Sequence, residues 1–521
     1  MHIGNLRAAW FGDAISNVAK LAGWKTQWMS NITDVGHLVD DGDDGEDKLE
    51  KGAKREGKKV QDIVDFYTQD YIKQCQAIGI ELPIGIMQPK ATEYIPEQML
   101  LALSLLKDKK AYVLDDGIYF DSQYNNQLFE ESNLLKNHQP LKAILAIQAK
   151  QKAGQSNQYN DRDIKNITKD SGDFALWKFV SQDSLQKWCF QDFDEVKDLV
   201  ENVEIMAKWG CPGWHSECVA MICNVTKQLQ DIKNPENSSK TQFSFQEFTN
   251  RTAIDLHLGG EDHIDVHHKN EILQSEALGF HLSNYWVHNK FVLVNGKKMS
   301  KSLGNVFLVA GKYEDTGFYS LEHPPIEVQE KFKIKRFDPL AYRLLMMEHS
   351  YNTQLDFTWE KLAQSQTRLF NLRKLGARIL SFANSQEIEE TQNQASPIID
   401  QFAQILTNNL DFPSLLSQYS QFLEGLINKI TKEQILTDID FEVLELFDIE
   451  LLKLKIFENP SQEAVQLAEA RQIAKADKNW SEADVIRQQI SQLGYQIDDY
   501  PWGYGLWLNP TLPKNSIQET L

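Results

Sequence analysis

The sequence predicts an α/β amino-terminal region followed by a helical carboxyl-terminal one, and three observations carry that reading. Up to about residue 305, helical periodicity alternates with short strand-like runs. From about residue 360 the apolar spacing is helical. The chain has 521 residues, more than one hydrophobic core organises, so roughly 150 residues per domain divides it into about three or four. The expected boundaries are 1–305 for the α/β domain, 306–360 for a connecting segment, 361–460 for a helical bundle and 461–521 for a small terminal module.

Taken in order, residues 7–24 read as a helix, and Thr26 to Ile32 as a short strand leading into the turn-rich Asn31-Ile32-Thr33-Asp34. The acidic run Asp40 to Asp47 lacks the spacing of a calcium loop and reads as solvated. Helical patterns return from about 60 to 110. Ala111 to Asp121 then alternates around Asp115-Asp116-Gly117, which predicts a hairpin. Polar stretches near 150–165 and 230–245 read as surface insertions, and Phe291 to Val294 as a strand.

In the helical region Leu369, Leu372, Leu375 and Ile379 make one apolar stripe. Lys361, Arg368, Arg373, Lys374 and Arg378 make the same stretch unusually basic, which suits either a solvated bundle face or a surface for a polyanion. The last module begins near Ser461. There Ser481-x-x-Asp484 resembles a capping box, Ala483, Ile486, Ile490 and Leu493 form a stripe, and Gly494 ends the helix.

Composition excludes several classes. Hydrophobic residues at 42% and charged residues at 25% are those of a globular chain. The longest apolar runs, such as Met99 to Leu106, are too short to cross a bilayer, and no secretory leader opens the chain, so a cytoplasmic protein is expected. Five cysteines without a CxxC pair make no disulfide framework and fit a reduced compartment. A net charge of −20 argues against indiscriminate coating of nucleic acid.

Two strings suit polyphosphate chemistry. Lys298-Met299-Ser300-Lys301-Ser302 places two cations and two hydroxyls in a short loop after a strand, where lysines can neutralise charge growing on a leaving pyrophosphate. His2-Ile3-Gly4-Asn5 opens a helix whose glycine and backbone N–H groups can approach phosphates. Between them lies a metal signal. His267 and Glu271 are four residues apart, hence on one face if helical. Imidazole and carboxylate both ligate zinc, and Cys218 in Trp214-His215-Ser216-Glu217-Cys218 is the candidate third ligand.

In order and spacing the first two strings resemble the HIGH and KMSKS signatures of class I aminoacyl-tRNA synthetases, which have a Rossmann-like ATP site split by a long insertion. More closely the chain resembles the cysteinyl-tRNA synthetase family. The strings are GWHSEC at 213–218, HHKNEI at 267–272, HNKF at 288–291, NITD at 31–34, DFALWK at 173–178, Asp338-Pro339 with Arg343, and the helices from Ala468 to Leu493. They take in most of the chain.

That resemblance implies a Rossmann-like catalytic domain with an insertion, a tRNA-binding bundle and a small module for anticodon recognition. It implies one zinc ion on Cys218, His267 and Glu271, with the cysteine substrate against Thr33 and Trp214. ATP with Mg2+ would meet His2, Gly4, Asn5, Lys298 and Lys301, and its nucleoside Gly259, Gly260 and Asp262. Partners would be tRNA(Cys), L-cysteine and ATP, with no membrane and a monomer favoured. Zinc in this family recognises the substrate thiolate. Serine differs only by oxygen for sulfur, and an apolar pocket discriminates such a swap by only about 1–3 kcal/mol. No protein nucleophile is needed, because the substrate carboxylate attacks the α-phosphate and a tRNA ribose hydroxyl attacks the adenylate. His215, His257, His263 and His268 are expected to orient or pack, and Cys211 and Cys223 to be inert.

In the family a strand and a further cysteine ligand precede HIGH, whereas here Met1 adjoins His2. The expectation is a chain lacking that strand and ligand, inactive until extended upstream. Two other readings stay open: the related ligase joining cysteine to a glucosaminyl-inositol, disfavoured by the terminal modules, and a non-catalytic tRNA-binding relative.

Overall fold

The computed structural model describes residues 2–35, 48–122, 168–169, 172–199, 203–233, 243–300, 303–311, 318–385 and 397–511. The acidic run at 40–47, the stretch at 150–165, most of 230–245 and Lys301 with Ser302 lie outside them. The chain forms two compact units, one of Met1–Thr26, Tyr71–Leu82 and Asn289–Leu521, the other of Gln27–Asp70 and Pro83–His288.

The first unit opens with a helix over Ile3–Leu21, earlier than the sequence suggests because His2 caps it. The His2 ring Nδ1 accepts the N–H groups of Gly4 at 3.1 Å and Asn5 at 3.3 Å, while Asn5 Oδ1 accepts the His2 N–H at 3.2 Å. Two of the helix's orphan donors are thereby satisfied. The Ile3 N–H donates to Phe307 O at 2.9 Å, and the Tyr342 hydroxyl to Ile3 O at 2.8 Å. Farther along, the Arg7 guanidinium donates to Lys290 O, Phe291 O, Ser350 O and Thr353 O, all within 3.0 Å. These carbonyls flank two parallel strands, Val292–Val294 and Leu355–Phe357.

Val294 pairs with Lys297 across a two-residue turn, Asn295-Gly296, where both residues have positive φ (50° and 74°). Asn-Gly is the sequence best suited to such a turn, whose twist matches the strands it joins. The hairpin carries Lys298 at its end.

The helical expectation from residue 360 holds, with helices over Trp359–Ala383, Pro397–Thr407 and Phe412–Thr431. Leu369, Leu372 and Ile379 are buried as the stripe requires. Arg373 is not part of a basic face: it is fully buried, and its guanidinium bonds Asp338 Oδ2 at 2.6 Å and Leu454 O at 3.1–3.2 Å. Arg368 pairs with Glu348 and Lys374 with Asp498. Arg343 is likewise fully buried, against Asp13 at 2.9 Å.

The terminal module packs helices Gln462–Ala476 and Trp480–Gln492 on an antiparallel hairpin, Tyr495–Tyr500 with Gly503–Leu508. Ala464, Ala468, Ile486, Ile490, Ile497 and Leu506 form its core. Asn479, not Ser481, caps the second helix, its side chain accepting from Glu482 N–H at 3.3 Å. Gly494 ends it at φ +85°. Arg471 and Lys475 both bind Asp499, at 2.8 Å each.

In the second unit a five-stranded antiparallel sheet has the spatial order Ala111–Leu114, Gly117–Phe120, Phe174–Phe179, Trp209–Pro212, Trp188–Cys189. The first two strands are the predicted hairpin. Helices Ile95–Lys107 and Trp214–Lys233 supply Met99, Leu103, Val219 and Ile222 to the core that also holds Phe120 and Trp177. Thr252–Gly260 and His281–Asn289 pair in a separate sheet. Thr26 to Ile32 is extended but forms no strand; its only ladder contact among the described residues is the bridge Ile32 to Lys90. Among these residues no helix is long and apolar enough to cross a membrane.

Candidate functional site

The strand Trp209–Pro212 leaves the sheet at Gly213, where a side chain would collide with Ala175 O. This close approach lets the helix Trp214–Lys233 start at once, burying Cys218 in its second turn. Facing it, a π-helical turn over Ile264–His268 runs into the α-helix Lys269–Ala277. Such turns are frequent at functional sites, and here His267 and Glu271 still come together, with Nε2 and Oε1 3.3 Å apart.

Ligand atoms of Cys218, His267 and Glu271 lie within 4.8 Å of one another, and all three residues are buried. Asn31 Nδ2 donates to Cys218 Sγ at 3.5 Å. The Trp214 ring stacks on His267 at 4.4 Å, and His215 Nδ1 lies 3.0 Å from His267 Nδ1. Glu271 Oε1 is buried without a hydrogen bond, a costly state unless a cation fills it. Thiolate, imidazole and carboxylate together suit zinc better than magnesium or calcium, so the donors fit that ion.

Burial, with the Glu271 and Glu217 carboxylates beside it, pushes the Cys218 thiol well above its ordinary range. Burial also opposes ionisation of Glu271, but the His267 and His257 imidazoles overcome it and hold the carboxyl well below the usual range. Burial keeps His215 and His268 neutral, the form that ligates metals or relays hydrogen bonds.

Other expected site residues occupy definite places. Thr33 is half-buried beside Asp34, whose carboxylate accepts from the Thr92 N–H at 2.9 Å and hydroxyl at 2.6 Å. Gly259 and Gly260 end the strand Thr252–Gly260. A side chain on Gly260 would strike Asp262 Oδ1, and one on Gly259 would strike the His263 and His268 rings. Lys298 is exposed, its Nζ 4.0 Å above the Phe291 ring. Met299 Cε lies where a side chain on Gly4 would be. Cys211 and Cys223 are buried among apolar neighbours.

Sequence reasoning did not assign Asn31 or the partner of Glu271's second oxygen. Asn31 sits in the quoted NITD string, but nothing in it tells which polar residue reaches Cys218. His257 Nε2, on the strand Thr252–Gly260, meets Glu271 Oε2 at 2.9 Å, a pairing no local spacing announces.

Residues 1–317 match the family model described as tRNA synthetases class I (C) catalytic domain. Cysteine–tRNA ligase 1 of Burkholderia lata is 30% identical over 510 residues, covering 97% of this chain and 89% of that protein. Cysteine–tRNA ligase of Treponema denticola is 30% identical over 531 residues, covering 96% and 90%. A solved LeuRS–tRNA–LeuAMS ternary complex from Agrobacterium radiobacter K84 is similar in fold, with TM-score 0.52 at 10% identity over 88% of this chain and 84% of that one.

Proposed function

Because the chain belongs to the class I tRNA synthetases and, among them, to the cysteine–tRNA ligase family, we propose that it activates L-cysteine with ATP and transfers it to tRNA(Cys) in the cytoplasm. The reaction is ATP-dependent ligation. Adenylate forms on a Rossmann-like domain, with Mg2+ accompanying ATP. The bundle at 361–460 and the module at 461–521 meet tRNA, where exposed Lys478 and Arg487 supply cations; Arg373 and Arg471, being buried and paired, do not.

One observation carries the cysteine reading: Cys218, His267 and Glu271 converge as buried ligands around an oxygen that accepts no hydrogen bond. These three residues would hold zinc, which would supply Lewis acidity that favours a thiolate far more than a serine hydroxyl. Trp214 fixes the His267 ring by stacking on it, and Asn31 steadies Cys218. Thr33 and Trp214 contact the amino acid.

For ATP, His2 has a defined proton. Its Nδ1 accepts two backbone N–H groups, so in the neutral ring the proton sits on Nε2, a donor for a phosphate oxygen. Gly4 and Asn5 keep the helix N-terminus beside it. Lys298 and Lys301 neutralise the pyrophosphate as it leaves. Gly259, Gly260 and Asp262 hold the nucleoside.

Cys218→Ser is the test. The wild type should carry one zinc at this site and show cysteine-dependent ATP–pyrophosphate exchange, with serine a poor substitute. The variant should lose that zinc, and its preference for cysteine should fall to the roughly 10–200-fold that an apolar pocket gives. Full zinc and full preference in Cys218→Ser would remove the assignment.

A further inference from the structure

Glu271 has two oxygens, and each faces a different set of ligands. Oε1 points to His267 Nε2 at 3.3 Å, in the set that includes Cys218. Oε2 lies 2.9 Å from His257 Nε2 and 4.0 Å from His268 Nε2. Ligand atoms of His257, His268 and Glu271 also lie within 4.8 Å of one another. We infer that His257, His268 and Glu271 form a second divalent-metal site, with Glu271 as a carboxylate bridge between it and the Cys218 site.

Three features support a built site rather than a crowd of imidazoles. First, the ring of His268 is oriented: its Nδ1 is 2.8 Å from His288 Nε2, leaving Nε2 toward Glu271. A metal-ligating histidine commonly has its other nitrogen held in this way. Second, both rings are clamped, His257 and His268 stacking at 4.5 Å with Trp286 beside each, at 4.8 and 5.0 Å. Third, space is kept beside the candidate ligand nitrogen. A side chain on Gly259 would sit 2.9 Å from His268 Nε2, and only glycine leaves that volume open.

The donor set also narrows the choice of ion. Two imidazoles and one shared carboxylate lack sulfur, so the second site takes Zn2+, Co2+ or Ni2+ but holds them less tightly than the thiolate site. A metal there would replace the His257 Nε2 contact with Oε2, the neutral ring then carrying its proton on Nδ1. A carboxylate bridge holds two ions about 3.5–4 Å apart, close enough for the second to draw charge from Glu271 and weaken its hold on the first. The second site therefore makes the enzyme sensitive to excess metal.

The inference rests on the reading of Cys218, His267 and Glu271 as the first site, and Co2+ distinguishes the two. Full-length protein stripped of metal is titrated with Co2+. The first site reports through thiolate-to-cobalt charge-transfer absorption, and the second adds cobalt without that band. Wild type should bind two equivalents, the band saturating at the first. His257→Gln and His268→Gln should each keep the band and lose the second equivalent. His288→Gln, outside both ligand sets, should keep the second equivalent but weaken it about 10–100-fold. One equivalent with the band in wild type overturns the second site and leaves the first intact. A single equivalent without the band, lost in His257→Gln, instead overturns the first. Retention of the second equivalent in both ligand variants also overturns the proposal, and if those variants fail to fold, unchanged affinity in His288→Gln does so.

Discussion

Arg7, Arg343 and Arg373 in the first unit and His267, His268 and Glu271 in the second are all shut off from solvent, yet their polar atoms face different things. The guanidiniums meet backbone carbonyls and carboxylates at hydrogen-bond distance: Arg343 reaches Leu452 O, Ile78 O and Asp13, and Arg373 reaches Leu454 O and Asp338. The second cluster turns acceptor atoms toward one another and leaves Glu271 Oε1 without a donor. Burial of charge does not by itself mark a site. Convergence of metal-ligating atoms beside an unsatisfied carboxylate oxygen is what sets the second cluster apart.

The largest test of this contrast is Arg343→Met. Removing one partner of a buried pair costs about 3–5 kcal/mol because the remaining charge is stranded. Lys453 stays 3.1 Å from Asp13 and keeps the loss at the lower end. Denaturant unfolding should show the loss while zinc content is unchanged. A stability equal to wild type would mean that the closed networks do not hold the first unit together.

Asp448 sharpens the comparison because it is half closed. Its Oδ2 accepts from the Ile456 and Phe457 N–H groups, while Oδ1 is buried without a partner, as is the Tyr419 hydroxyl. Burial pushes its carboxyl up to about 6, against the pull of those N–H groups and of Arg373. Since the folded value exceeds the unfolded value of about 3.9, the stabilisation from the neutral acid is complete below about pH 4. It is lost as pH rises through about 6, a drop of up to about 3 kcal/mol. Asp448→Asn keeps an acceptor for both N–H groups and should abolish that drop. The measurement is the difference between wild-type and variant unfolding free energies at pH 4.5 and 7.5; parallel curves would refute it.

The smallest effect is expected from His215→Leu. It removes the 3.0 Å partner of His267 Nδ1 without touching a ligand atom, so zinc affinity should fall about 10–100-fold, about 1.4–2.7 kcal/mol. Thermal unfolding of the first unit should not move. A variant that binds zinc normally would show that stacking on Trp214 alone orients His267.

The parts legible in the sequence were those decided locally. The hairpin at 111–120 follows from its turn residues, and Gly494 from the helix it stops. His267 and Glu271 follow from a spacing of four, which survives the π turn that holds His267 because Glu271 lies in the α-helical continuation. What was misread depended on distant partners. Arg373 looks like any surface arginine until Asp338 closes on it. Asn479 and Ser481 both offer a capping side chain, and the choice turns on where the preceding chain enters. Thr26 to Ile32 has strand composition but, among the described residues, only Lys90 to pair with. The second face of Glu271 needed a histidine from the strand Thr252–Gly260.

The anchoring of the first helix has a consequence for synthesis. Asp13 binds Lys453, 440 residues later, and Arg7 binds Thr353 O, 346 residues later. Trp10 packs edge-on against Phe412 and Phe11 stacks on Tyr351. At about 5–20 residues per second on the ribosome, the helix waits roughly 20–90 s for Lys453 to be made. During that interval Trp10 and Phe11 lack the partners that bury them, so a helix made well before its partners is among the last to find its native contacts and is a natural client for a chaperone that holds nascent chains.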